Sequence, residues 1–328
     1  MVPQSEEGHR AYLEALRACA ARLPSLRVLN VPGPLPPLKA LPEPYEVALE
    51  PSASWVEKAS ELARQGHQVV VHGAAASLAV EAWLQLRQLA DWADLSILLV
   101  GFRPGLAGAG LPPEAQALED IALMRLLPPV QILTPADYEE LVAALPVVLE
   151  SGGPCYLRYV DAAPPCTHES GFRLARTEFF GPEDPEVLLL SYGAMLREVL
   201  AAAEQLRGQG TAAAVLHLSS LQPWDEQSVD ALARRARLVV SIDDHLSSGG
   251  LHSMVAELLG QQASSTPLVS LALSHRPLPG EDMEEALELQ SLGAEQIAQR
   301  VRRALHRLQA MKAEPKAMTN LFLQRNEP

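Results

Sequence analysis

The chain has 328 residues, 48% hydrophobic and 20% charged, enough for two globular domains with cores of their own. A net charge of −14 argues against a nucleic-acid or anionic-membrane partner on electrostatic grounds. Three cysteines (Cys19, Cys155, Cys166) without a CxxC spacing give no disulfide framework and fit buried thiols in a reducing, cytoplasmic setting.

The first thirty residues show no basic-then-apolar leader pattern, and no apolar run is long enough to span a bilayer. Short apolar runs rich in β-branched residues read as buried parallel strands at 26–31 (LRVLNV), 67–73, 95–101, 130–135 and 154–160. Helical stretches lie between them, at 52–66 and 76–93. A third, at 134–153, is opened by Pro135 and Asp137 and closed by Gly152-Gly153. From Cys166 to about Pro185 the pattern dissolves into polar sequence with Gly and Pro, which reads as a linker. Strands and helices then alternate again from EVLLLSYG to a last helix ending near Met311. The expected fold is α/β, with two domains of mainly parallel sheets flanked by helices. Their expected limits are 1–165 and 186–311, joined by a linker at 166–185 and followed by a tail at 312–328.

The chemistry visible without reference to any family is sparse. GLAGAGLP (105–112) looks like a dinucleotide loop, but its spacing is wrong and prolines replace the helix start, so it reads as a loop needing glycine flexibility. The densest polar group is SIDDHLSSGGLH (241–252). Its carboxylates and imidazole at a strand end, facing a helix start, could bind a ligand or move protons. The other reading is that Asp244 and His245 cap or cross-link loops at an interface. His72 and His275 stand beside strand ends, where lone histidines are usually structural.

ALEDIALMR (117–125) resembles, nearly word for word, a segment of the pyrimidine-binding domain of transketolases. ILTPAD, GGPCYLRY, VLLLSYGAMLREVL, LSSLQPWDEQSVDALA and VSIDDHLSSGGLHSMVAELL resemble further transketolase blocks, so the likeness runs over about residues 8–308. It implies a pyrimidine-binding domain followed by a transketolase C-terminal domain, with Glu119, Asp120 and Arg125 as contact residues in a dimeric core. It also implies thiamine diphosphate and Mg²⁺, held mainly by a partner subunit, because this chain has no Gly-Asp-Gly motif. The implied function is the C-terminal half of a split transketolase, transferring a two-carbon ketol or related acyl unit. The alternative is a catalytically silent transketolase-like scaffold or regulatory subunit.

The resemblance also carries site residues. An ungapped register places Ser52 where the family has its cofactor-activating glutamate, and a one-residue deletion after Leu49 places Glu50 there. Glu50 is taken as catalytic and cofactor-binding, Gln116 as cofactor-binding, and Arg103, Asp244 and His245 as substrate-binding, with no protein metal ligand. Several family features are replaced: aromatic residues by Ala74, Ala76 and Ser77, a histidine by Ala115, another by Arg103, and a phosphate-binding arginine by Asp161.

Overall fold

The computed structural model describes residues 6–33, 41–42, 45–49, 54–89, 92–168, 171–274 and 277–313. The first sheet is built from β1 (Leu26–Asn30), β2 (Glu46–Val47), β3 (Gln68–Ala74), β4 (Ile97–Phe102), β5 (Gln131–Leu133) and β6 (Cys155–Arg158). Helices α1 (Glu6–Arg22), α2 (Trp55–Arg64), α3 (Trp83–Gln88), α4 (Asp120–Arg125) and α5 (Tyr138–Ser151) accompany it. The second half contributes β7 (Thr177–Phe180), β8 (Val187–Ser191), β9 (Ala213–Leu218), β10 (Ser220–Gln222), β11 (Leu238–Leu246) and β12 (Leu268–Leu273). Its helices are α6 (Leu196–Gly208), α7 (Glu226–Arg235), α8 (Leu251–Gln261), α9 (Met283–Leu289) and α10 (Ala294–Ala313).

The strand order is β10-β5-β6-β4-β3-β1-β2 in one sheet and β12-β11-β8-β9-β7 in the other. Pairing is parallel except at β10 with β5 and at β7 with β9. The fold is therefore the expected α/β arrangement of mainly parallel sheets. Alternation along the strands explains their apolar sequence. Val28, Val70 and Val100 face α1 and α5, while Leu29, Val69, Val71 and Leu99 face the opposite side. That opposite side shares one apolar cluster with Leu188, Leu190, Leu216 and Val239 of the second sheet, so the two halves bury a common core. A separate cluster lies on the far face of the second sheet under α6 and α10.

Local signals behave as their chemistry demands. Asp137 caps α5 by accepting from the Glu139 and Glu140 N–H groups at 2.9 and 3.1 Å, and Gly152 closes the helix at φ 68°. The helix expected over 76–93 is instead a π-helical turn, Ala76–Glu81, followed by α3.

Of the three strands absent from the sequence reading, β10 joins the halves. β10 leaves the second half and adds antiparallel to the edge of the first sheet, pairing Ser220 with Leu133. β7 lies within the stretch expected as linker and pairs with β9. Beside it, His168 is clamped between Asp137 Oδ2 (2.5 Å) and Glu178 Oε2 (2.6 Å), tying the linker to both halves. These hydrogen bonds to carboxylates push the imidazole pKa up to about 11. Its stabilisation is complete below the ordinary histidine value of about 6.5 and is lost as pH rises through about 11. Denaturant titrations from pH 7 to pH 11 are expected to show a steeper loss of stability for the natural chain than for His168→Gln. Parallel slopes would remove the charged clamp.

Candidate functional site

The most highly organised polar group in the described residues lies where the two halves meet. Asp120 opens α4 with its side chain fully buried. It accepts hydrogen bonds from the Tyr156 hydroxyl (2.6 Å) and from Nε and Nη2 of Arg158 (2.9 and 3.1 Å). Tyr156 and Arg158 are two apart on β6 and so share the face turned toward the second half. The remaining arm of Arg158 donates to Asp244 Oδ1 of β11 at 2.5 Å, and its guanidinium lies 5.5 Å from the centre of the Tyr192 ring.

Burial pushes the Asp120 carboxyl up, but Arg158 and the Tyr156 hydroxyl outweigh it and hold the group below the usual carboxylate range. Asp243, beside this group, accepts from the Leu251 and His252 N–H groups at the start of α8. Burial nevertheless carries its pKa up to about 8, and the nearby Asp244 adds to the rise. His245 is neutral: Nδ1–H donates to the Leu246 carbonyl (2.6 Å) and Nε2 accepts from the Ala122 N–H (3.3 Å), while burial pulls its pKa down.

The residues of three expectations have partners within the chain in this geometry. Asp244 and His245, expected at the substrate, are buried and committed to Arg158 and to the backbone of α4. Gln116, expected at the cofactor, is also buried, and its amide joins the halves: Oε1 accepts from the Leu278 N–H at 2.7 Å, and Nε2 donates to the Leu111 carbonyl at 2.9 Å. Asp120 and Arg125, expected in a dimeric core, hold the chain's own second half; Arg125 donates to the Gly249 carbonyl (2.8 Å) and to Glu257 (2.9 Å). The glycine loop has the same purpose. A Cβ on Gly105 (φ 54°) would stand 2.2 Å from the Asp244 carboxylate, and one on Gly110 (φ 78°) would stand 2.2 Å from the Glu281 carbonyl.

The carboxyl ends of β1, β3, β4 and β6 form a second face with different chemistry. His72 is buried beneath it, with Nε2 2.7 Å from the Tyr12 hydroxyl, and burial takes its pKa down to about 3. Phe102 and Tyr159 pack beside it, and the Tyr159 hydroxyl lies 3.2 Å from His9 Nδ1. Arg103 follows β4 with its backbone at φ 55°, a left-handed conformation that non-glycine residues seldom adopt and that clusters at functional positions. Close to it, Asp161 is raised by burial, with His9 and Arg103 drawing it back. Glu50 and Ser52 lie outside the described residues, as does His275.

The implied cofactor would have to meet this face. Ala75 and Ala76 pack on Ala117 and offer no aromatic ring, whereas Asn30 Oδ1 and His72 Nδ1 are buried without a partner among the described residues at adjacent strand ends. Such residues suit a heterocycle held at its edge by hydrogen bonds rather than by stacking.

Comparison with known proteins accounts for the arrangement. Residues 181–297 match the model of the transketolase C-terminal domain. A split-gene transketolase chain, solved as an inactive β4 tetramer, superposes with a TM-score of 0.77 at 26% identity, covering 91% of this chain and 98% of that one. The chain has the fold of the C-terminal half of a transketolase. The transketolase of Campylobacter jejuni shares the fold, with a TM-score of 0.70 at 15% identity, over 90% of this chain and 46% of its own. A 6-deoxy-6-sulfo-D-fructose transketolase subunit of Clostridium sp. (strain MSTE9) is 31% identical over 211 residues. That match covers 64% of this chain and 65% of the relative, just under two thirds of its length. The interdomain lock joins the first half of the chain to the half that matches the transketolase C-terminal domain.

The sequence reading missed Tyr156, Tyr192, His168 and Tyr12 as partners. No local signal marks them, because Arg158 meets Asp120 and Asp244 across separations of 38 and 86 residues.

Proposed function

We propose that the chain is the C-terminal subunit of a two-subunit transketolase-like enzyme that transfers a two-carbon ketol or related acyl unit. The observation that carries this reading is the superposition over 98% of a split-gene transketolase chain. The partner subunit supplies the diphosphate-binding domain and most contacts to thiamine diphosphate and Mg²⁺. When bound, the cofactor supplies the nucleophilic carbon. The residues of this chain orient the pyrimidine and the substrate. Glu50 exchanges a proton with a pyrimidine ring nitrogen. Arg103, on the strained turn after β4, meets an anionic or strongly polar substrate group, and Asp161 beside it disfavours a phosphate at that end. None of the helices searched among the described residues is long and apolar enough to cross a membrane, in keeping with a cytoplasmic subunit.

The silent-scaffold reading draws on the committed Gln116, Asp244 and His245 and on the alanine-lined strand ends. Native mass spectrometry of the chain purified from its host, with thiamine diphosphate and Mg²⁺ added, separates the two. A heteromer carrying the cofactor is expected. A homo-oligomer, or a heteromer that never takes up the cofactor, would leave the scaffold.

A further inference from the structure

α10 and β12 enclose a groove of about 350 Å³ on the far side of the second sheet from the site above. Its floor is apolar, from Val269, Leu271 and Leu308, and its rim carries Arg300, Arg303 and Arg307. Among the described residues no carboxylate lines it, although the chain as a whole carries a net charge of −14. Among the described residues, none of the three arginines makes an ion pair.

Among the described residues β12 is the terminal strand of its sheet and pairs only with β11, which leaves one row of its backbone N–H and C=O groups open there. Natural edges are usually blunted by a charge, a proline or a covering segment. The six residues LVSLAL contain neither a charge nor a proline, and Ser270 Oγ is buried there without a partner.

We propose that this groove receives an extended acidic and apolar segment of another polypeptide, added as a strand along β12. Backbone pairing gives the register, the alternate residues that face α10 bring carboxylates to the arginines over the apolar floor, and the intervening apolar residues lie on the opposite face of the sheet. The spacing fits. Positions 300, 303 and 307 span about 10 Å along a helix at ~1.5 Å per residue. Three alternate residues of a strand cover about 13 Å at ~3.3 Å per residue. The chain's own residues 314–328, which follow α10 directly, are less complementary. They balance Glu314 and Glu327 against Lys316 and Arg325.

The probe is a fluorescent peptide, acetyl-Glu-Leu-Glu-Val-Glu-Leu-Glu-amide, titrated onto the full chain and followed by anisotropy. Saturable binding is expected, weakened roughly tenfold or more by Arg303→Glu and by Arg307→Glu. A peptide N-methylated at alternate amides should lose binding to the unaltered protein, which tests strand addition without any question of folding. Inorganic polyphosphate should compete only weakly. Absence of saturable binding at millimolar peptide would overturn the proposal, as would binding indifferent to N-methylation or to both arginine variants. Much tighter peptide binding after removal of residues 314–328 would make the chain's own tail the occupant and overturn the assignment to another polypeptide.

Discussion

Arg158→Ala is expected to lower the stability of the chain by about 3–5 kcal/mol, the largest single-residue loss in the interdomain lock. Arg158 is 4% exposed and is the cation that meets both Asp120 and Asp244. Removing it leaves two buried carboxyls facing each other's charge, and also strips a bidentate donor from Asp120 and a packing partner from Tyr192. Urea titration is the direct measurement. The triple variant with Asp120→Asn and Asp244→Asn should recover much of the loss, because it removes the stranded charges along with their partner. A loss of about 1 kcal/mol or less for Arg158→Ala would mean that water enters and solvates the site, and the lock would then contribute little.

Glu50→Ala carries the largest expected effect on activity. In the reconstituted complex, turnover should fall by roughly 10²- to 10⁴-fold, the usual contribution of a positioned proton-transfer group. Assembly with the partner, read by native mass, should be unchanged. Ser52→Ala is the matched control, because the ungapped register places Ser52 at the same position. Unaltered turnover in Glu50→Ala would remove the catalytic assignment. A fall confined to Ser52→Ala would select the other register and leave the site without a carboxylate.

The main strands were legible because parallel strands buried on both faces carry near-continuous apolar runs, as VLLL of β8 and VVV of β3 do. The capped helix α5 was legible because Asp137 and Gly152 advertise the two chemical needs of a helix end. β7 and β10 were hidden for the converse reason. TEFF and SLQ are short edge strands whose identity comes from the neighbour that accepts them, not from their own pattern. The same limit applied to the site. The wording around Asp120 located an important helix start, and the resemblance named a family, but the residues that satisfy Asp120 come from β6, and the carboxylate that takes the remaining arm of Arg158 comes from β11. Their side chains meet only because the two halves pack against each other. A conspicuous carboxylate in the sequence can mark such a junction as readily as a ligand, and Asp244 and His245 mark the junction.

The crossing of β10 into the first sheet has a consequence for how the chain is made. During synthesis the outer edge of β5 stands open until residues 220–222 have left the ribosome, long after the rest of its sheet has been translated. The first half is thus finished by a piece of the second. A fragment ending near residue 165 would carry a sheet short of its last strand, prone to pairing with other nascent copies. A fragment starting near 186 would carry that strand with nothing to add it to. The two halves share a strand and a core, so the polypeptide between them offers no clean place to cut.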